Sequence, residues 1–374
     1  MKACRHFKGD RPCKYYWTMG CTDCENSSHY NPYKERILLI KLDALGDVVR
    51  STALAEGIKR KYPDSQLTWV TQPEATFFIK NNSYVDRILK YNSETVRILQ
   101  HEKFDIIINL DKDPKATSMI MSFTADEYRG YGLHEEGYPM PLNKGSIYHY
   151  DMCLDNWGAK TKNKLSYQEL IYQIAEIEYK DEKPIINLDK EFNDTFRKMF
   201  YSKHNIKPEH KLILLNTGCG PVYPHKKWTF EGFDKLIEYL LQDRNNKIIL
   251  AGSHSETETN LKLWESHRSF RVINTTNQYS IEQFCSLVDL CDLVVTGDTV
   301  ALHIAISLNT KIVSFFGPTP HQEVNLFGLG KKLVRKELDC LNCYDQFPCP
   351  YDGKCMSLIT PEKVHKSIKE LLGI

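Results

Sequence analysis

Asp298, Thr299 and His303 bring a carboxylate, a hydroxyl and an imidazole to one turn, the imidazole one helical turn beyond the other two. They lie in the stretch DLCDLVVTGDTVALHIAISLNTKIVSFFGPTP, residues 289–320. Leu293–Val295 is an apolar run suited to a buried strand, and Gly297 permits a sharp turn. Asp298 and Thr299 are helix N-cap types standing just before the helical run Val300–Leu308, and Ile312–Phe316 is a second apolar strand. A strand–helix–strand unit of this kind offers free backbone N–H groups and the positive end of a helix dipole at its first turn. The chemistry it suits is anion binding. A helix cap beside a packed histidine is the plainer reading of the same residues.

Other residues of this kind stand at similar turns. Asp47 follows Gly46 between a predicted strand, Ile37–Leu42, and a predicted helix, Val48–Lys61. Ligands of open α/β sheets lie outside the carboxyl ends of the strands, which is where this carboxylate falls, although a plain cap would stand there too. Asp111, Lys112 and Asp113 directly follow the strand Phe104–Leu110 and supply rival carboxylates, or else a solvated turn before Pro114. The loops Asn216–Lys227 (NTGCGPVYPHKK) and Gly252–Glu258 (GSHSETE) follow two further strands, Leu212–Leu215 and Lys247–Ala251.

Eight of the 12 cysteines form two sets. Cys4, Cys13, Cys21 and Cys24 have the spacing C-x8-C-x7-C-x2-C; Cys340, Cys343, Cys349 and Cys355 have C-x2-C-x5-C-x5-C. A C-x2-C pair lets two thiolates reach one tetrahedral ion, so a structural metal is expected at each set. Zinc is the default for a closed four-cysteine site, and iron suits thiolates equally well. Free thiols on a flexible arm are the alternative at the N-terminal set. An iron–sulfur redox protein is a further reading, resting on the cysteines alone.

These residues need elements to position them. The 374 residues suffice for two domains with full cores. Strands alternate with helices in two successive halves, which implies an α/β protein with two doubly wound domains facing across a cleft. The predicted division is a Cys-rich segment 1–32, a domain 33–185, a second domain 186–335, a metal knuckle 336–358 and a C-terminal helix 359–374. Gly130–Ser146, rich in Gly, Pro and Asn, reads as a long loop; Met119–Phe123 begins a helix, and Tyr150–Trp157 is helical. Lys+Arg 49 against Asp+Glu 48 leaves a net charge of +1, so bulk attraction to nucleic acid is not expected. No apolar run approaches the roughly 18 residues of a membrane span, and the first residues lack the apolar core of a secretory signal. The expectation is a cytoplasmic protein with at most peripheral membrane contact. Neither G-x-G-x-x-G nor G-x-x-x-x-G-K-[ST] occurs, which removes support for a nicotinamide enzyme or a P-loop NTPase.

Four stretches, in order, resemble glycosyltransferase family 9, the ADP-heptose heptosyltransferases of the GT-B fold. They are ILLIKLDALGDVVRSTALAEGIKRKYP, LLNTGCGPVYPHKKWTFEGF, IILAGSHSETE and LVVTGDTVALHIAISLNTKIVSFFGPT, within residues 36–320. The resemblance implies two facing Rossmann-like domains and inverting transfer of a heptose-like sugar from ADP-heptose or a related nucleotide-sugar. The acceptor would be a glycan, a lipid-linked sugar or a protein hydroxyl. By the same resemblance Asp47 is the catalytic base, with Asp111 its rival. Lys226, two residues before Trp228, meets the donor diphosphate, and Thr217 and Gly218 add phosphate contacts. Asp298, Thr299, Val300 and His303 match the family's Asp-Thr-Gly-x-x-His, and Glu256, or else Glu258, binds the nucleoside. Val300 replaces a family glycine, which narrows the approach of a phosphate, and the phosphate loop is longer and carries Cys219. Ordinary lipopolysaccharide heptosyltransferases lack both cysteine sets, whereas some protein-modifying enzymes resembling the family hold an iron with cysteines near the C-terminus. The residue types suit the reaction. A base takes the acceptor's proton, and fixed cations and N–H groups stabilise the departing diphosphate without a catalytic metal. Direct displacement inverts the anomeric centre. A catalytically inactive sugar-nucleotide-binding protein is the alternative.

Overall fold

Near-continuous apolar runs such as Ile37–Ile40 and Ile106–Asn109 are what parallel strands buried on both faces require, and both are buried. The computed structural model describes residues 4–7, 9, 11–154, 162–220, 223–338, 340–344, 349 and 351–373. The chain divides into two compact units. The first holds Met1–Ala44, Ser51–Tyr150 and Gln168–Glu182; the second holds Leu45–Arg50, Asp151–Tyr167 and Lys183–Ile374. Within the expected 33–185 domain, residues 45–50, 151–167 and 183–185 group with the other unit.

In the first unit the strands are β1 (Arg36–Ile40), β2 (Gln66–Thr71), β3 (Arg87–Lys90), β4 (Lys103–Asn109), β5 (Thr124–Leu133) and β6 (Pro139–Pro141). They form one sheet in the order β3-β2-β1-β4-β5-β6, parallel except for the last pair. The helices here are α1 (Lys14–Met19), α2 (Leu45–Lys61), α3 (Thr76–Ile79), α4 (Ser93–Leu99), α5 (Pro114–Met121), α6 (Lys144–Leu154) and α7 (Tyr167–Ile174). Some of these run across the boundary between units. Leu38, Ile40, Val70, Phe104, Ile107, Met119 and Ile120 form the core of one sheet face.

Three sequence expectations change here. The helix expected from Met119 starts at Pro114, because the Asp113 carboxylate caps it, accepting from the N–H of Lys115 and Ala116, and proline suits the first helical position. The long loop expected at Gly130–Ser146 is ordered. Gly130 takes φ +93°, which lets β5 pass close to the Asn109 carbonyl, and the chain returns through β6 into α6. The helix expected at Tyr150–Trp157 begins earlier, at Lys144, and residues 155–157 lie outside the described residues.

The second unit runs α8 (Lys190–His204), β7 (Lys211–Asn216), α9 (Phe230–Leu240), β8 (Asn246–Ala251), α10 (Thr257–Ser266) and β9 (Val272–Asn274). It continues through α11 (Ile281–Leu290), β10 (Leu293–Gly297), α12 (Val300–Ser307), β11 (Lys311–Phe316), β12 (Gly330–Val334), α13 (Lys354–Ser357) and α14 (Pro361–Leu372). Its all-parallel sheet has the order β12-β11-β10-β7-β8-β9. One sheet face packs Ile213, Trp228, Phe233, Ile237, Phe315, Met356, Val364 and Ile368 together, each large side chain contributing about 1.5–3 kcal/mol by burial. Trp228 is anchored as well as buried, its Nε1 donating to the Ile359 carbonyl at 2.9 Å. Among the described residues no helix is long and apolar enough to cross a membrane.

Candidate functional site

β10 and α12 meet where the sequence places Asp298 and Thr299, and α12 begins without a side-chain cap. The Thr299 hydroxyl is taken up elsewhere, by Thr296 Oγ1 at 3.0 Å and Asn216 Nδ2 at 3.3 Å. The first-turn N–H groups of α12 thus lack the side-chain acceptor that an N-cap usually supplies, and the helix presents its positive end at this turn.

Lys226 ends a short 3₁₀ turn, Pro224–Lys226, in the loop after β7. Its ammonium donates to the Asp298 carbonyl at 3.0 Å and lies 3.3 Å from the Asp298 carboxylate. His303, one turn into α12 and buried, puts Nε2 3.5 Å from the other carboxylate oxygen. Burial alone would push the Asp298 carboxyl up, but His303, Lys226 and Arg50 hold it well below the usual carboxylate range. His303 is lowered, by burial first and by Arg50 as well, against the pull of Asp298, so its imidazole is neutral near pH 7.

Asp47 enters the same unit from the first turn of α2. Gly46 makes that possible: a Cβ there would lie 3.0 Å from the His303 ring and 3.6 Å from the Val300 Cα. A side chain at this position would crowd the His303 ring, so the bare backbone eases the close approach of the start of α2 to the start of α12. Asp47 is 34% exposed and accepts from Arg50 Nη2 at 2.5 Å, while Arg50 is 15% exposed and lies over the Tyr167 ring, 3.8 Å from its centroid. Two carboxylates, Asp47 and Asp298, thus face two cations, Arg50 and Lys226.

The loop residues are placed as supports. Thr217 is buried, its hydroxyl donating to Asn260 Oδ1 at 2.7 Å. Gly218 backs onto Glu256, whose Cδ would be 2.5 Å from a Cβ at that position. Glu256 itself is buried, and its oxygens accept from the Ser253 N–H, the Ser253 and Ser255 hydroxyls and the Lys227 ammonium. Burial opposes ionisation, yet these donors hold the carboxyl below its ordinary value. Glu258 is bonded to Lys262 at the surface. Val300 is the first residue of α12 and is partly exposed.

Asp111, the rival carboxylate, is engaged by its own neighbours. It is 6% exposed in the first unit, with one oxygen on the Lys41 ammonium and the other on the Leu42 N–H. Burial raises its carboxyl despite Lys41. The pair ties the ends of β1 and β4 together, which accounts for a carboxylate at that strand end.

The expected structural zinc or iron at Cys4, Cys13, Cys21 and Cys24 and at Cys340, Cys343, Cys349 and Cys355 is not supported. Among the described residues no group of three or more His, Cys, Asp or Glu side chains could hold a metal ion. Cys4 is buried in a bridge to Pro32, and Cys355 is packed into the core on α13. The Cys355 thiol is pushed up to about 12, by burial first and then by the neighbouring Cys340, Cys343 and Cys349. The segment instead backs the site. The N–H groups of Asn342 and Tyr344 donate to the carbonyls of Gly317 and Pro318, just past β11, and the Tyr344 hydroxyl reaches Glu323 at 3.4 Å.

Arg50, Tyr167 and Glu323 were not singled out by sequence. Arg50 had a signal, the i,i+3 spacing from Asp47 that makes an intrahelical ion pair. Glu323 and its second partner, Asn163 at 3.5 Å, had none. Burial first of all, and Asp298, raise the Glu323 carboxyl against the opposing charge of Arg50.

With this geometry in view, the family model described as "Glycosyltransferase family 9 (heptosyltransferase)" matches residues 94–351. The chain is 30% identical over 186 residues to lipooligosaccharide heptosyltransferase 2 of Campylobacter jejuni, a match covering 49% of this chain and 58% of that protein. It thus spans little more than half of that relative's length. A glycosyl transferase family 9 structure from Veillonella parvula shares the fold with a TM-score of 0.70 at 20% identity, covering 91% of this chain and 97% of the other. The E. coli ADP-heptose lps heptosyltransferase II gives 0.67 at 16% identity, covering 90% and 98%. At these identities the structures bear on the fold alone, and both agree with the two parallel-sheet units.

Proposed function

The chain belongs to glycosyltransferase family 9, the heptosyltransferases, and from that premise we propose that it moves a heptose-like sugar from an ADP-sugar to an acceptor hydroxyl with inversion. The acceptor classes are a glycan, a lipid-linked sugar or a protein. One observation carries the reading: an uncapped helix start, the Lys226 ammonium and the Asp47 carboxylate occur within a single compact unit. The donor diphosphate seats on the N-terminus of α12 beside Lys226. Asp47 takes the acceptor hydroxyl's proton as that oxygen attacks the anomeric carbon. The bond from the anomeric carbon to the phosphate oxygen breaks, and ADP leaves with the electron pair, its growing charge met by Lys226 and the helix N–H groups. Thr217, Gly218 and Glu256 act by fixing the loops around the nucleotide, since Thr217 and Glu256 are bonded within those loops. The likeness to a lipooligosaccharide heptosyltransferase and to an ADP-heptose lps heptosyltransferase supports the sugar and the ADP carrier.

Asp47→Ala tests the assignment. Release of ADP from ADP-heptose, by transfer or by donor hydrolysis, should collapse while ADP still binds. Turnover that persists in Asp47→Ala refutes the base assignment.

A further inference from the structure

Arg50 has no part in the reaction as described above, yet it lies, only 15% exposed, among the charges that do. Its guanidinium bonds Asp47 from three residues further along α2 and lies over the Tyr167 ring, its Cζ 3.8 Å from the centroid; Tyr167 is itself buried. Asp298 also acts on it, and Glu323 and His303 both respond to its charge. A planar fork held by an aromatic face has little rotational freedom, so the carboxylate it grips is held as well. A lysine at this position would carry the charge without the plane.

We infer that Arg50, braced by Tyr167, is a positioning residue that holds the Asp47 carboxylate in one orientation and keeps it ionised for proton abstraction. The inference rests on the reading of Asp47 as the base. The groups facing this pair are Asp298, with Lys226 against it, His303 from α12, Glu323 from the turn before β12, and Tyr167. His303 is neutral near pH 7 and Asp298 is paired with Lys226, and among the described residues Arg50 is a cation in direct contact with Asp47. Removing it makes ionisation of Asp47 harder, and the sign follows: the acidic limb of the pH–rate profile must move to higher pH.

The test is the pH dependence of ADP release from ADP-heptose by Arg50→Met, Arg50→Lys, Tyr167→Leu and Asp47→Ala. In Arg50→Met the acidic limb of kcat/KM should rise by about one to three pH units, the range over which an adjacent arginine shifts an aspartate. Its kcat should fall on the order of 100-fold, as expected for a misplaced catalytic group, with ADP affinity little changed. Arg50→Lys should return the limb towards wild type but recover kcat only in part. Tyr167→Leu, which leaves the charge in place, should move the limb in the same direction by less, and it decides the matter if Arg50→Met does not fold. A limb that stays put in Arg50→Met, or in Tyr167→Leu where that variant decides, overturns the inference. Equal shifts in Arg50→Met and Arg50→Lys also overturn it. If Asp47→Ala retains turnover, the base reading fails first; if it is inactive and the Arg50 limb is unmoved, only the positioning role fails.

Discussion

Lys226 is the residue whose removal separates a diphosphate seat from a packed helix start. Its ammonium is 14% exposed, 3.0 Å from the Asp298 carbonyl and 3.3 Å from the Asp298 carboxylate. In Lys226→Ala an incoming diphosphate loses one charge-assisted hydrogen bond, about 1.5–3 kcal/mol. At 1.4 kcal/mol for each factor of ten, ADP should bind about 12- to 150-fold more weakly. The upper end is expected, because Asp298 stays ionised and now faces the phosphates without its partner; His303 and Arg50 still hold it below the usual range. That repulsion can be isolated. Adding Asp298→Asn to Lys226→Ala removes the negative charge, so the double variant should bind ADP more tightly than Lys226→Ala alone, with a coupling on the order of 1 kcal/mol. Isothermal titration with ADP reads all three variants, and thermal melting controls for folding. Affinity within threefold of wild type in Lys226→Ala, or a double variant no tighter than the single, refutes the placement of the diphosphate.

Two further outcomes follow from the burial of charged groups. Asp111→Asn strands the buried Lys41 ammonium and should destabilise the protein by about 3–5 kcal/mol in chemical denaturation, with turnover of the folded fraction retained; lost turnover at unchanged stability would make Asp111 catalytic after all. His303 has a folded-state pKa below its ordinary 6.5, so the unfolded chain takes up a proton that the folded chain refuses, and stability falls as pH drops through 6.5. His303→Asn should therefore show a smaller loss of denaturation midpoint from about pH 7.5 to about pH 5.5 than wild type, and parallel curves would show that the imidazole is not held neutral.

The readability of the site in the sequence followed the reach of each interaction along the chain. The two strand-to-helix turns at Asp47 and Asp298 were legible, because a buried apolar strand, a turn glycine and an acidic residue are neighbours in sequence. Arg50 was in principle legible for the same reason, since its pairing lies within one helical turn. Glu323 was not. Its partners Asn163 and Tyr344 are 160 and 21 residues away, and nothing local distinguishes it from a surface glutamate. Asp111 was ambiguous because a carboxylate at the end of a parallel strand looks the same whether it faces a ligand or a buried lysine 70 residues earlier. The cysteine sets pose a different problem. Spacing says how far apart thiols are along the chain, but Cys355 is committed to the core by Met356, Ile359 and the apolar face of α14, which the spacing does not report. The region 130–146 shows the limit of composition: Gly130 marks a crowded strand crossing, and the same glycine would equally suit an open loop.

The contact at Gly46 gives the arrangement its logic. A base and a leaving-group site cooperate only if their separation is held to a fraction of an ångström. Here the start of α2 touches the start of α12 backbone to ring, so Asp47 and the α12 N-terminus belong to one packed body although they lie 251 residues apart from Asp47 to Asp298. His303 is the shared element. It meets Gly46 on its ring edge and Asp298 through Nε2, which makes its neutral, fixed imidazole the spacer between the carboxylate proposed to accept the proton and the turn proposed to receive the phosphates. A histidine there suits both demands: the ring fills the space that Gly46 leaves, and the nitrogen orients a buried carboxylate that would otherwise depend on Lys226 and Arg50 alone. Val300 is tolerable in this setting for a physical reason. Anion binding at a helix start uses the backbone N–H groups, and Val300 keeps its own, so the valine narrows the approach without removing a donor.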